Sequence, residues 1–489
     1  MSALPAPSRT GVRIAGDKYQ WLIAWQGCLT VLHDAEVRPS NPVLSVGVEQ
    51  DGVGNLDDVV LYRAAPPHTY AQVKYTVDST TPVNSDYLLA PSPTGGPSIL
   101  NKIAGTWQQL TAEDTVVGLA LITNRAPDPG DPLIGLRDAR TGLLMPKAGL
   151  LGPGSARGIA RRTWAKGAGL TEKDLLGLLD CLRFDTSRDP IHLRELVQHQ
   201  MIAAGLRHDQ GAIDAGADWV ACQVRDGHRV LTGQMIWAGV QALNLRAGPA
   251  RAVLSIATLK PDPMAAEADY ALDWTDRFEG ANAYAKRRPE APATWAQLQE
   301  QIEDVRTHLP AGTTAVAVTG SIRQAPAFLI GSVFRMVTGA DLAVLQRGEL
   351  WSTDAAFDTA LTPLQEAHAL GQGQDLAVAV GVALDPTQDV LQFLRTQQIP
   401  VADLLVLRPP AGVKDNAVPD QATANALAVG IRDAVRRASR TAPRVHLFLA
   451  GPMALAVMLG HRWNRVRPTT VYEDVATESF YEPAFAIDA

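Results

Sequence analysis

One pattern appears twice in the second half of the chain: a β-branched run, a Gly-marked turn, an apolar stretch with a Gly inside it, and another β-branched run. The first copy runs through Val316-Ala-Val-Thr, Gly320-Ser-Ile-Arg-Gln, a stretch containing Gly331 and Phe334, and Asp341-Leu-Ala-Val-Leu-Gln. The second runs through Val445-His-Leu-Phe-Leu, Gly451-Pro, a stretch containing Gly460 and Trp463, and Thr470-Val-Tyr-Glu. Short strands handing over to helix-length segments predict βαβ units, and two copies predict two related Rossmann-type halves. A Gly where a strand meets a helix N-terminus lets another backbone come close, and the free N–H groups there attract phosphate. Two such mouths can share one anionic ligand. The plainer alternative is that any βαβ turn favours Gly, and neither copy is a GxGxxG or a P-loop ending in GK[ST].

A chain of 489 residues is too long for one core, and roughly two to four domains are expected. Hydrophobic content of 46% and charged content of 19% suit globular domains. The net charge of −7 excludes a chain-wide basic surface, so any nucleic-acid contact must come from a local patch. Cys28, Cys181 and Cys222 are too few and too scattered for a disulfide framework or a zinc site, which suits a reducing cytoplasm. The opening MSALPAPSRTG lacks the apolar core of a secretory signal. The longest apolar run, 445–460, is broken by Gly451-Pro452, so no membrane partner is expected.

Between Glu49 and Val77 an acidic turn, a β-branched run, a Pro-Pro break and a second alternating run predict a β-hairpin. Asp57 and Asp58 stand at the mouth of its first strand. On the second strand, alternation puts Tyr70, Gln72 and Lys74 on one face and Ala71, Val73 and Tyr75 on the other. A carboxylate from one strand and a Gln-x-Lys from its neighbour can converge on one hard cation, held by Asp oxygens, the Gln carbonyl, a backbone carbonyl and waters. Lys74 would stand beside a metal-held water, an arrangement that suits phosphodiester hydrolysis. The alternative is an ordinary surface hairpin with a solvated Lys.

Around the hairpin, Gly16-Asp17 can cap a helix carrying Trp21, Trp25, Cys28 and Leu32. A loop follows Ala90, a helix with Trp107 on its apolar face is expected over 99–110, and a buried strand over 116–123. From Gly152 to about Arg246 the pattern is helical. Thr171-x-x-Asp174 opens a stripe of Leu175, Leu178, Leu179 and Leu182. Arg157, Arg161, Arg162 and Lys166 form a basic cluster that either contacts phosphate or is a solvated face.

Asp-x(n)-Gln-x-Lys on a hairpin resembles the PD-(D/E)XK nuclease motif in its Gln variant, with Gln72 where the commoner member has a carboxylate. Gly16-x-x-Tyr-Gln20 resembles the first helix of that class, Gln20 being structural or close to the site. The second half carries Asp273-Trp-Thr-Asp-Arg-Phe-Glu-Gly, then Trp295, Val318-Thr-Gly, Gln346-Arg-Gly-Glu-Leu-Trp351, Leu449-Ala-Gly-Pro-x-Ala-Leu-Ala and Tyr472-Glu473. These look like the SAVED domain, which resembles two fused CARF-like units and binds cyclic oligonucleotides. Ala281 stands where members often carry an Arg.

Together the resemblances imply an α/β multidomain chain. Residues 1–150 would be a PD-(D/E)XK-like core, 151–250 its helical extension, and 260–489 a SAVED domain with halves of about 260–355 and 370–489. This is the layout of nuclease-SAVED effectors of CBASS anti-phage systems. The implied activity is metal-dependent endonuclease cleavage of double-stranded DNA, activated by a cyclic di- or trinucleotide messenger that also drives self-association. Asp57 or Asp58 would ligate Mg²⁺ or Mn²⁺, Gln72 and the Val73 carbonyl would complete the shell, Glu49 would be auxiliary, and Lys74 would orient the water. The messenger would meet Gly320, Ser321, Arg323 and Gln324 from one mouth and Gly451 and Pro452 from the other, with Trp351 and Tyr472 stacking on bases. The alternatives are a nucleotide-sensing protein with an inactive nuclease fold and a messenger-independent restriction-type nuclease.

Overall fold

The computed structural model describes residues 9–92, 95–112, 116–283, 285–346, 349–475 and 480–488. Most of the opening segment, Pro93-Thr94 of the loop after Ala90, and Arg347-Gly348 of the Gln346–Trp351 stretch lie outside the described residues. The chain divides into two compact units, residues 1–250 and 251–489.

In the first unit, α1 (Arg9–Val37) leads into an antiparallel meander of β1 (Val43–Val48), β2 (Val59–Arg63) and β3 (His68–Lys74). After α2 (Ser85–Leu89) and α3 (Ile99–Leu110), β4 (Val117–Thr123) returns parallel to β3. Then come α4 (Ala156–Ala168), α5 (Glu172–Cys181), β5 (Leu182–Asp185), α6 (Pro190–Ala203), α7 (Gln210–Arg225), β6 (Val230–Thr232) and α8 (Gly233–Ala242). The sheet order is β5-β4-β3-β2-β1-β6.

Two expectations need correcting here. Residues 151–250 are not a purely helical extension: β5 and β6 are the two edge strands of the six-stranded sheet. Leu182, expected on the Leu stripe of α5, opens β5, a strand of only four residues whose apolar positions continue the helical ones without a break in pattern. Nor do Gly16-Asp17 cap α1, because the helix starts at Arg9 and runs for 29 residues. Gly16 costs an exposed helix about 1 kcal/mol relative to Ala. Burial of Tyr19, Leu22, Ile23, Trp25 and Leu29 farther along outweighs that.

The sheet separates two cores. Ala71 and Val73 pack with the α1 side chains, whereas Tyr70 packs with Val60, Leu121, Ile103 and Leu178. The alternation of β3 therefore sends Gln72 and Lys74 toward the α3 side.

The second unit begins ahead of residue 260. Its first half comprises β7 (Ala252–Ala257), β8 (Tyr270–Asp273), α9 (Trp295–Glu303), α10 (Val305–His308), β9 (Ala315–Thr319), α11 (Gln324–Val333), β10 (Asp341–Gln346) and β11 (Glu349–Ser352). These strands form a sheet of order β11-β10-β9-β7-β8. The second half comprises β12 (Leu364–Ala369), β13 (Asp375–Gly381), α12 (Thr387–Thr396), β14 (Val401–Arg408), α13 (Gln421–Ala438), β15 (Val445–Ala450), α14 (Met453–His461), β16 (Thr469–Asp474) and β17 (Tyr481–Ile487). Its sheet order is β12-β14-β13-β15-β16-β17. β9 pairs in parallel with β10, and β15 with β16, so each copy of the sequence pattern is a βαβ unit.

The glycines inside the repeated helices have one shared cause. A Cβ on Gly331 of α11 would collide with the Val457 carbonyl of α14, and a Cβ on Gly460 of α14 would collide with the Phe328 carbonyl of α11. Each helix lays its backbone on the other's, which only glycine permits. This crossing joins the two halves and brings both βα turns to one end of the unit.

Candidate functional site

The β2–β3 ladder ends at the pair Val59 and Ala71. Beyond it the side chain of Asp58 takes the place of a strand: Oδ2 accepts the Val73 N–H at 2.7 Å and a short hydrogen bond from Gln72 Nε2. Gln72 is buried and Asp58 half-buried. Burial pushes the Asp58 carboxyl above the usual range, and the nearby Lys74 ammonium pulls it back. Burial lowers Lys74 in turn, with Asp58 opposing and Lys102 of α3 adding to the fall. A carboxylate and an amine are thus held together in a poorly solvated corner, each shifted toward its neutral form.

This corner fits a hard dication. Asp58 spends Oδ2 on the protein and leaves Oδ1, while Gln72 spends Nε2 and leaves Oε1. Asp57 is adjacent, its own carbonyl taken by Gln50 N–H. Mg²⁺ takes one or two carboxylates and keeps several waters, so a full protein cage is unnecessary.

Glu49 does not join them. It sits at a φ of +47°, and its carboxylate is taken by Arg229 Nη1 at 2.7 Å. Among the described residues no group of three or more His, Cys, Asp or Glu side chains is placed to hold a metal. Gln20 lies on α1, which packs on the opposite face of the sheet, and its buried Nε2 finds no hydrogen-bond partner.

The three arginines of the α4 basic cluster bind their own surroundings. Arg161 is buried against Glu172 Oε1 at 2.6 Å and the carbonyls of Ala148, Leu150 and Leu151. Arg157 reaches the Lys147 carbonyl and Arg162 the Pro153 carbonyl.

In the second unit the two βα turns meet. Gln324 Nε2 donates to the Gly451 carbonyl at 2.8 Å, linking the N-terminal end of α11 to that of α14. Neither Arg323 nor Pro452, the two N-cap residues, caps its helix with a side chain. Gly320 has φ +106° and lies against the Ile256 carbonyl, and the Ser321 carbonyl accepts from Thr258 and Leu259 N–H. Gly451 presses on Val382.

Three of the expected ligand contacts are corrected. Arg323 commits its whole fork to the protein: Nε and Nη2 to Glu473 Oε1 at 3.0 and 2.9 Å, Nη1 to the Lys286 carbonyl, and Nη2 to the Asp474 carbonyl. Trp351 is buried at 3% exposure on β11. Tyr472 stacks on Phe448 at 4.5 Å and hydrogen-bonds His446 Nδ1 at 3.0 Å. Both aromatics are core residues.

Sequence reasoning left two side chains at these turns without a role. Glu473 Oε2 accepts the Ala325 N–H at 2.7 Å, and Gln346 Oε1 accepts the Ala454 N–H at 3.3 Å. Each helix N-terminus is therefore capped by a residue from the last strand of the other half's repeat. A polar residue at the end of the second strand of each repeat is the signal that could have found them.

No curated protein matches the chain. Among solved structures it is similar to the Acinetobacter baumannii Cap4 SAVED/CARF-domain containing receptor with the cyclic trinucleotide 3′3′3′-cAAA, at 13% identity and a TM-score of 0.45 over 99% of this chain and 100% of that one. The corresponding Moraxella osloensis receptor is similar at 14% identity and a TM-score of 0.41, over 97% and 99%. Residues 296–487 match the SAVED family, described as the SMODS-associated and fused to various effectors sensor domain. That range contains both βα turns and the helix crossing between them, so the second unit of this chain carries a SAVED sensor domain.

Proposed function

We propose that the chain is an anti-phage effector in which a cyclic oligonucleotide, bound at the paired βα turns of the SAVED domain, switches on metal-dependent cleavage of double-stranded DNA at the Asp58, Gln72 and Lys74 corner. The observation that carries this reading is the convergence of those three side chains past the end of one hairpin ladder, in a unit joined to a sensor domain.

Asp58 Oδ1 and Gln72 Oε1, with the Val73 carbonyl and Asp57 alongside, would hold one Mg²⁺ or Mn²⁺, which supplies a polarised phosphate and a water of lowered pKa. Asp58 Oδ2 fixes the Gln72 amide and the β3 backbone, so the oxygens facing the substrate are set before it arrives. Lys74 Nζ, held below the usual lysine range by burial, orients the attacking water and can accept its proton. At the sensor, Gln324 ties the two mouths together, and Ser321, Gly451 and Pro452 are the turn residues that would meet the messenger.

The test incubates the purified chain with duplex DNA and Mg²⁺, with and without a panel of cyclic di- and trinucleotides that includes 3′3′3′-cAAA. Cleavage that needs both metal and one messenger, and that falls about 10²–10⁴-fold in Lys74→Ala while messenger binding is kept, is the expected result. Messenger binding without cleavage by the parent protein favours a sensor with an inactive nuclease fold. Cleavage indifferent to every messenger favours a restriction-type enzyme.

A further inference from the structure

In the second unit α13 buries Leu427, Ile431, Ala434 and Val435 and turns its last arginines away from them. Charge of one sign then continues past the helix: from residue 432 to 467 the chain carries eight arginines, no lysine and one carboxylate, Asp433. Asp433 is shared by Arg432 at 2.7 Å and Arg436 at 3.5 Å, and among the described residues it is the only carboxylate paired with these arginines. Arg462 is buried. Arg437, Arg440, Arg444, Arg465 and Arg467 are exposed.

The fold gathers them at one end of the sheet. Val445 of β15 pairs with Thr469 of β16, so Arg444 and Arg467 stand just ahead of two adjacent parallel strands. Arg436 donates to the Asn464 carbonyl at 2.9 Å and to Asn464 Oδ1 at 2.6 Å, which brings the end of α13 to the loop that carries Arg465. Arg467 donates to the carbonyls of Ser439 and Arg440 and closes that loop onto the segment after α13. Burial draws Arg436 down, Arg432 and Arg465 add to the fall, and Asp433 opposes it. Gly451 lies at the other end of β15, whose six residues put about 20 Å between this patch and the messenger turns.

Arginine is expected at a helix C-terminus, where a cation offsets the dipole. That accounts for Arg436 and Arg437 in the last turn of α13 and for Arg462 at the C-cap of α14. It does not account for Arg440, Arg444, Arg465 and Arg467, which lie outside both helices. Positive charge gathered against its own repulsion is relieved by a polyanion, whose phosphates release their counterions on binding. The rest of the patch says which polyanion. Single strands are gripped by bases stacking on exposed aromatics, and membrane surfaces by an apolar face beside the basic one. Here Phe448, Trp463 and Tyr472 are buried, and none of the exposed large apolar side chains of the described residues falls between 432 and 467. Arginine without either companion suits the phosphate backbone of a duplex.

We infer that the arginine patch of the sensor unit is a duplex-binding surface that takes the nucleic-acid backbone without regard to sequence. It is the local basic patch that a chain of net charge −7 needs for such a partner. The inference stands whether or not the Asp58 corner is catalytic.

The test measures binding of a fluorescent DNA duplex to the full chain in EDTA across a salt series. Arg437, Arg440 and Arg465 are exposed, so all three can be changed to Gln without opening the core. The triple variant should keep the parent's melting temperature while the slope of log affinity against log salt falls by about three, at about 0.9 for each lost phosphate contact. Arg225→Gln, at an exposed position of α7, should leave the slope as in the parent; a fall of about one there would show that overall charge sets the slope and would overturn the patch. An unchanged slope in the triple variant, with the parent binding duplex, would overturn it too and leave the nuclease reading standing. A parent that binds no duplex at low salt would remove the patch, and cleavage in Mg²⁺ would still decide the nuclease reading separately. Tighter binding of a single strand of the same length, or of phosphatidylserine vesicles at equal phosphate, would overturn the duplex as partner. If the triple variant melts lower than the parent, Arg440→Gln and Arg465→Gln taken singly, each expected to lower the slope by about one, decide.

Discussion

Arg323 and Glu473 give the sharpest test of how the sensor unit is built. Glu473 is 2% exposed, and it receives both nitrogens of the Arg323 edge and the Ala325 N–H. Burial pushes its carboxyl above the usual range, and Arg323 pulls it down. Glu473→Ala leaves a guanidinium group of 12% side-chain exposure with two carbonyls as its partners, and leaves the first turn of α11 without its acceptor. Removing one member of such a buried pair costs about 3–5 kcal/mol. The unit spans residues 251–489, a size at which each kcal/mol moves the midpoint by about 2–4 °C. Its calorimetric transition in the full chain should therefore fall by about 6–20 °C. The double variant Arg323→Met with Glu473→Leu, which removes both charges and keeps the volume, should recover most of the loss. It should also retain messenger binding, because the fork is already committed within the protein. A fall of less than about 2 °C in Glu473→Ala would refute the energetic reasoning. A stable double variant that no longer binds messenger would return Arg323 to the ligand site.

Burial raises the folded pKa of Asp58 above its ordinary 3.8, so the stability this carboxyl lends is present below the unfolded value and lost as pH rises through the folded one. Asp58→Asn should accordingly raise the melting temperature of the first unit at neutral pH in EDTA, with the gain shrinking as the solution is acidified; a loss at neutral pH would contradict the sign. Gly331→Ala should cost the second unit about 1–3 kcal/mol or more in urea titration, since its Cβ meets backbone, whereas Gly16→Ala, with nothing within 4 Å, should stabilise α1 by about 0.5–1 kcal/mol. Equal effects at the two glycines would sink the account of the helix crossing. On the proposed nuclease reading each chain would offer one metal site at the β2–β3 hairpin, so cutting both strands would call for two chains, and light scattering should show a larger mass with messenger than without; switching of cleavage at constant mass would rule assembly out.

The sequence was most legible where side-chain period and chain punctuation agree. Both βαβ repeats, the hairpin and the helix over 99–110 follow from side-chain period and from Gly and Pro at element ends, and the structure adds the Ser98 cap of that helix. It was least legible where an element is too short to show a period. β5 and β6 have four and three residues, and only their neighbours in the sheet make them strands. Polar side chains posed a different difficulty. Arg323 and Glu49 carry the chemistry of ligand contacts in sequence, yet each is consumed by a partner far along the chain. Pairings of that separation leave no local pattern. Trp351, on the edge strand β11, and Tyr472, on the inner strand β16, failed as stacking residues because each turns its ring into the core.

The two mouths of the sensor unit are alike in backbone and unlike in charge. Each helix starts just past a Gly turn, crosses its counterpart through a glycine, and is capped from the opposite repeat. At α11 the cap is a carboxylate, already neutralised by Arg323, so that N-terminus has its anion. At α14 the cap is the neutral amide of Gln346, at a longer 3.3 Å, and the partial positive charge of the helix end is left largely uncompensated. An anionic ligand laid across both turns would have to compete with Glu473 at the first and only with Gln346 at the second. The doubling that is evident in sequence therefore builds a frame of two equal halves, and the single exchange of Glu for Gln at corresponding caps gives that frame a direction.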